Sequence, residues 1–144
     1  IFKKFKGGSM ALEWKPDLAT GFVEIDNQHK ELFKRVNDLV NAMKQGKGRD
    51  EVGKVLKFLE DYTVHHFSNE ENYMKKYQYP EYEGHKAQHT GLINDLQKMK
   101  EQFDKEGPSS MLAIDIQKEL GDWLMIHIAK IDKELGAFLK ERVK

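Results

Sequence analysis

Thr63-Val-His-His-Phe-Ser-Asn-Glu-Glu71 sets two histidines and two glutamates within seven residues, each pair doubled. An α-helix turns about 100° per residue, so only one member of each pair can share a face. The residues before it, Val52, Val55, Leu56, Leu59 and Tyr62, recur at three-four spacing and mark the side that turns inward. His66 and Glu70 fall within roughly 20° of Leu59, the middle of that stripe. His65 falls roughly 120° away, and Glu71 is likewise rotated off the stripe. The pattern therefore predicts that His66 and Glu70 point inward while His65 and Glu71 face solvent. An imidazole and a carboxylate one turn apart are aimed at one point in space.

The rest of the chain limits what that point can be. With 144 residues the chain is long enough for one domain with a single core. Lys+Arg and Asp+Glu are both 24, and a net charge of zero gives no electrostatic case for nucleic acid or an anionic membrane. No apolar run approaches the length of a membrane span and no cleavable leader is visible, so a cytoplasmic location is the expectation. Cysteine is absent, so a metal here would be held by nitrogen and oxygen. The opening Ile1-Phe-Lys-Lys-Phe-Lys-Gly-Gly-Ser9 reads as a tag or fusion remnant ahead of Met10, leaving 10–144 as the domain. Phe2 and Phe5 lie one turn apart, but so short a segment cannot hold a helix by itself.

Past an irregular N-terminal arm, four segments carry a helical stripe. The first runs from about Asp26 to Gln45 and the second from about Asp50 to Lys76. The third runs from about Glu81 to Lys105, and the fourth follows the Gly107-Pro-Ser-Ser110 loop with a serine N-cap. Short connections between helices of similar length predict an all-α protein, an antiparallel up-down-up-down four-helix bundle.

Histidine strains the idea of a plain apolar core. His29 shares the stripe of Leu32, Val36 and Leu39; His85 and His89 continue that of Tyr82 and Leu92; His127 follows Leu120 and Trp123. With His66, five of the six histidines face the axis, from all four helices. One such histidine is ordinarily a hydrogen-bonded core residue, but Glu70 cannot partner five. Metal coordination satisfies them together and requires them neutral. Alternating helix directions bring them to one end of the bundle. Five imidazoles with carboxylates exceed the needs of one tetrahedral zinc and imply two ions, with iron, zinc, copper and manganese all open. The Glu-x-x-His motif of ferritin-like di-iron bundles does not occur.

Ile25-Asp-Asn-Gln-His29-Lys, His66-Phe-Ser-Asn-Glu70-Glu71, His85-Lys-Ala-Gln-His89 and His127-Ile-Ala-Lys-Ile-Asp132 resemble, in order and spacing, the motifs of the hemerythrin family. The resemblance spans about residues 11 to 140 and is closest to the bacterial members. It implies two iron ions with an oxo or hydroxo bridge and reversible dioxygen binding. It assigns His85, His89 and His127 to one iron, His29 and His66 to the other, and Glu70 and Asp132 to both. Periodicity disagrees at one residue. In a straight helix Asp132 diverges from His127 by roughly 140°, whereas Glu134 would lie within roughly 20°. Asp132 needs a locally unwound or π-like turn.

Leu32, Phe67, Trp123, Leu124 and Ile128, one step or one turn from these residues, would wall a dry dioxygen pocket. The expected function is dioxygen storage, delivery or local supply, with no catalytic residue. A sensor module cut from a longer chain, with a protein partner, and a di-iron redox enzyme of peroxidase or nitric oxide reductase type are the alternatives. A further expectation is that the metal-free form melts lower, the more so in mild acid as histidines protonate.

Overall fold

The computed structural model describes residues 2–4 and 10–143. Helix α1 (Val23–Lys44) begins where Asp26 reaches back to the arm: its Oδ1 accepts from Thr20 N and Thr20 Oγ1, both at 2.8 Å. Acidic Glu24 and Asp26 in its first turn suit the positive end of the helix dipole. Helix α2 (Arg49–Lys76) starts with Asp50 and Glu51 and ends with Lys75 and Lys76, following the same rule. The Tyr77-Gln-Tyr-Pro80 break turns the chain through Gln78 at φ 56°. Helix α3 (Tyr82–Glu106) stops at Gly107, φ 76°. Ser109 caps α4 (Ser110–Ile126), its Oγ accepting from Leu112 N at 3.0 Å. A π-helical turn, His127–Asp132, then leads into α5 (Lys133–Arg142).

Each helix packs on its neighbour in sequence, and α4 closes the square against α1. The all-α, antiparallel four-helix bundle is the architecture, with the fourth helix interrupted by the π turn. No described helix is long and apolar enough to cross a membrane.

The arm is more ordered than the lack of a period suggests. Phe2–Lys4 pairs antiparallel with Met10–Leu12, and a 3-10 turn covers Pro16–Leu18. Asn37 of α1 grips the second strand twice, accepting from Leu12 N at 2.9 Å and donating to Leu12 O at 2.8 Å. Residues 1 and 5–9 lie outside the described residues, and with them most of the segment expected to be a remnant.

The core is in two parts. A long apolar plug includes Leu32, Leu39, Leu59, Phe67, Leu92, Leu120, Leu124 and Ile128. A short plug of Ile25, Met74, Tyr79, Leu135 and Leu139 closes the other end. The inward histidines fall between them: Ile25 and Leu32 flank His29, Leu59 and Met74 flank His66 and Glu70.

Gly136 of α5 lies directly under the arm. A Cβ there would run into the Thr20 carbonyl oxygen and come within 2.6 Å of Thr20 Cβ. Gly136→Ala is therefore expected to destabilise by about 1–3 kcal/mol, as overpacking does. Gly91→Ala on α3, where a Cβ meets nothing, should stabilise by about 0.5–1 kcal/mol. Denaturant melts of both variants check this, and equal shifts would show that the arm does not rest on α5.

Candidate metal centre

Between the two plugs, α1 contributes His29, α2 His66 and Glu70, α3 His85 and His89, and the π turn His127 and Asp132; all seven are buried. Each carboxylate divides its two oxygens. Glu70 Oε1 lies 3.0 Å from His89 Nε2 and 3.3 Å from His85 Nε2, while Oε2 lies 3.2 Å from His66 Nε2 and 3.7 Å from His29 Nε2. Asp132 Oδ1 lies 3.0 Å from both His85 Nε2 and His127 Nε2, and Oδ2 lies 2.9 Å from His29 Nε2. Two sets result: Glu70, His85, His89, His127 and Asp132; and His29, His66, Glu70 and Asp132. Within each set the ligand atoms lie within 4.8 Å of one another.

These contacts are close, yet most are not hydrogen bonds. Ten buried atoms of the cluster have no hydrogen-bond partner among the described residues: both nitrogens of His29 and His85, Nε2 of His89 and His127, and all four oxygens of Glu70 and Asp132. Each such group costs about 1–3 kcal/mol if left unsatisfied. With neither a metal nor an ion pair to meet them, together they would rival the roughly 5–15 kcal/mol of net stability of a typical domain. Nitrogen and oxygen donors that converge in two sets sharing both carboxylates fit a pair of cations.

The π turn explains Asp132. One extra residue in the turn brings Asp132 back beneath His127, whereas Glu134 is exposed on the outer face. The straight-helix expectation for Glu134 fails because the helix is not straight there. His65 is exposed and His66 buried, as the phase of α2 requires.

Glu71 corrects the sequence expectation. It is only 19% exposed and its Oε2 accepts from His89 Nδ1 at 2.9 Å, because the flank it occupies is the one that α3 packs against. Two glutamines missed on the sequence do the same: Gln28 Oε1 stands 2.6 Å from His66 Nδ1, and Gln88 Oε1 2.8 Å from His127 Nδ1. With Nε2 turned to the centre, Nδ1 carries the proton and donates.

The residues expected to wall a pocket divide in three. Phe67 stacks on His89 with centroids 3.8 Å apart, and Trp123 stacks on His127 at 4.3 Å. Leu32 and Leu124 line a narrow apolar cleft with Val36, Leu59, Leu92 and Leu120. Ile128 is fully buried in the long plug.

The electrostatics follow from the same contacts. Burial disfavours the imidazolium of His29, but Asp132 and Glu70 outweigh it and raise its pKa to about 9. His85 is raised to about 9 against the same burial and by the same two carboxylates. His127 is pushed down, chiefly by burial. Burial also opposes ionisation of Glu70 and Asp132, yet the surrounding histidines hold both below the usual carboxylate range.

In the metal-free protein, then, His29 and His85 serve as the carboxylates' cationic partners. Their stabilising contribution is complete below the ordinary 6.5 and is lost as pH rises through about 9. The two carboxylates contribute above their ordinary 3.8 and 4.5 and lose this as pH falls further. His127 opposes, losing stability as pH falls below 6.5. This reverses the sequence expectation of a general weakening in mild acid. Melting temperatures of chelator-treated protein should fall from pH 7 to pH 10; a flat or rising profile would contradict the pairing. Metal content should fall sharply in His66→Ala and Asp132→Ala and stay near normal in His65→Ala and Glu134→Ala. Equal losses within either pair would refute the inward set.

The comparisons with known proteins point the same way. A family model described as the hemerythrin HHE cation binding domain matches residues 20–139. Bacteriohemerythrin of Methylococcus capsulatus is 37% identical over 114 residues, 79% of this chain and 85% of the relative. Bacteriohemerythrin of Pseudomonas aeruginosa is 33% identical over 121 residues, 84% of this chain and 76% of the relative. A crystal structure of wild-type hemerythrin superposes with a TM-score of 0.80 at 33% identity, covering 90% of this chain and 98% of its own. The chain belongs to the hemerythrin family.

Proposed function

We propose that this chain binds dioxygen reversibly at a pair of irons carrying an oxo or hydroxo bridge, for storage, delivery or local supply. His85, His89 and His127 would hold one iron and His29 and His66 the other, with Glu70 and Asp132 spanning both. The observation that supports this most is the unequal division of the donors into a five-group and a four-group set that share both carboxylates. The smaller set has one protein group fewer, which is where a small diatomic ligand would bind. Iron supplies the electrons that dioxygen takes up on binding and gives back on leaving.

The side chains do the rest. Gln28, Gln88 and Glu71 fix the outer nitrogens of three imidazoles, so each ring keeps its tautomer and its inward lone pair. Phe67 and Trp123 hold two of those rings by stacking. Leu32, Leu92 and Leu124, which line the apolar cleft, stand one turn from His29, His89 and His127, so the layer next to the centre would be hospitable to an apolar gas and hostile to water or ionic reductants.

Iron-loaded protein should contain two irons per chain. On exposure to air the reduced, colourless form should gain visible absorption, and lose it again when dioxygen is removed. One metal equivalent, preference for zinc, or immediate irreversible oxidation would overturn this function.

A further inference from the structure

Three of the five inward imidazoles have their outer nitrogen engaged, and the three partners differ in charge. His66 and His127 meet the neutral amide oxygens of Gln28 and Gln88. His89 meets a carboxylate, Glu71 Oε2, at 2.9 Å. His29 and His85 have no hydrogen-bond partner at Nδ1 among the described residues. The His89–Glu71 bond is largely out of water: the two side chains are 1% and 19% exposed, and Phe67 covers the face of the imidazole. In such a place a charge-assisted hydrogen bond is stronger than one to an amide. A carboxylate accepting from Nδ1–H draws the proton outward and pushes electron density onto Nε2, making the ring a more basic ligand. An amide oxygen does this less, and an unpartnered nitrogen not at all.

We propose that Glu71 is a positioning residue that makes His89 the strongest nitrogen donor of the five. It thereby favours the ferric state at the five-group set over the four-group set. The inference rests on the di-iron function proposed above and deepens it: the order in which the two irons give up electrons is set partly from outside the ligand shell. Each step is one electron passing from an iron to an oxidant, and the stronger donor stabilises the iron left with the higher charge.

Glu71→Gln keeps an acceptor oxygen and removes its charge. In iron-loaded protein titrated with a dye mediator at an electrode, the lower of the two one-electron midpoint potentials should rise. A tenfold change in the equilibrium corresponds to about 59 mV for one electron, and a shift of that order is expected. Adding Gln88→Glu to Glu71→Gln moves the charge behind His127, which belongs to the same set, and should bring the potential back. A merely structural role for Glu71 would not be rescued by a carboxylate on a different histidine. The single variant Gln88→Glu should lower the potential, which keeps the test open if Glu71→Gln fails to load iron. Iron is counted first. A wild-type chain without an iron pair overturns the di-iron function and this inference with it. Two irons in every variant with unchanged potentials overturns this inference alone.

Discussion

Five imidazole nitrogens and two carboxylates are held in a dry interior where protein hydrogen bonds satisfy only some of them. A helical bundle satisfies its own backbone, so its interior can be apolar throughout. This one carries a polar layer across its full width, with apolar plugs on both sides. Water cannot reach the layer in quantity, and the side chains cannot leave it without opening the bundle. The helix directions, the interruption in the fourth helix and the outer partners of the histidines can all be understood as ways of bringing these groups together.

How much of this the sequence reveals depends on whether the chain is regular. His29, His66, His85 and His89 stand on unbroken helical stripes and His127 where α4 gives way to the π turn, so a fixed step of about 100° per residue places them correctly. The same arithmetic fails at Asp132, because a π turn has one more residue than the step assumes, and only the family motif pointed to it. The arm was unreadable for a different reason. Much of its order comes from isolated contacts, Asp26 with Thr20, Asn37 with Leu12, and Leu12 and Leu18 against the core, and such contacts leave no period.

Glu71, Gln28 and Gln88 were missed because each sits on a flank, and a flank reads as solvent until the neighbouring helix is in place. A regularity is nonetheless visible in retrospect. Gln28 precedes His29, Gln88 precedes His89 and Glu71 follows Glu70, so each lies one step from an inward group. One step rotates a side chain toward the adjoining helix, where it meets an inward histidine of that helix: His66, His127 and His89 in turn. The polar layer is thus laced together by residues that look peripheral on any single helix.

The π turn has an effect beyond the residue it delivers. Everything C-terminal to it is rotated relative to α4, and Leu135 and Leu139 reach the short plug only in that rotated phase. The last ten residues are therefore keyed like a threaded part whose pitch is cut once, at His127–Asp132. An insertion or deletion of one residue there would leave the composition and the loops intact. It would nonetheless turn the closing apolar face away from the bundle at the same stroke as the carboxylate. Length at this point of the chain is as strictly determined as chemical identity.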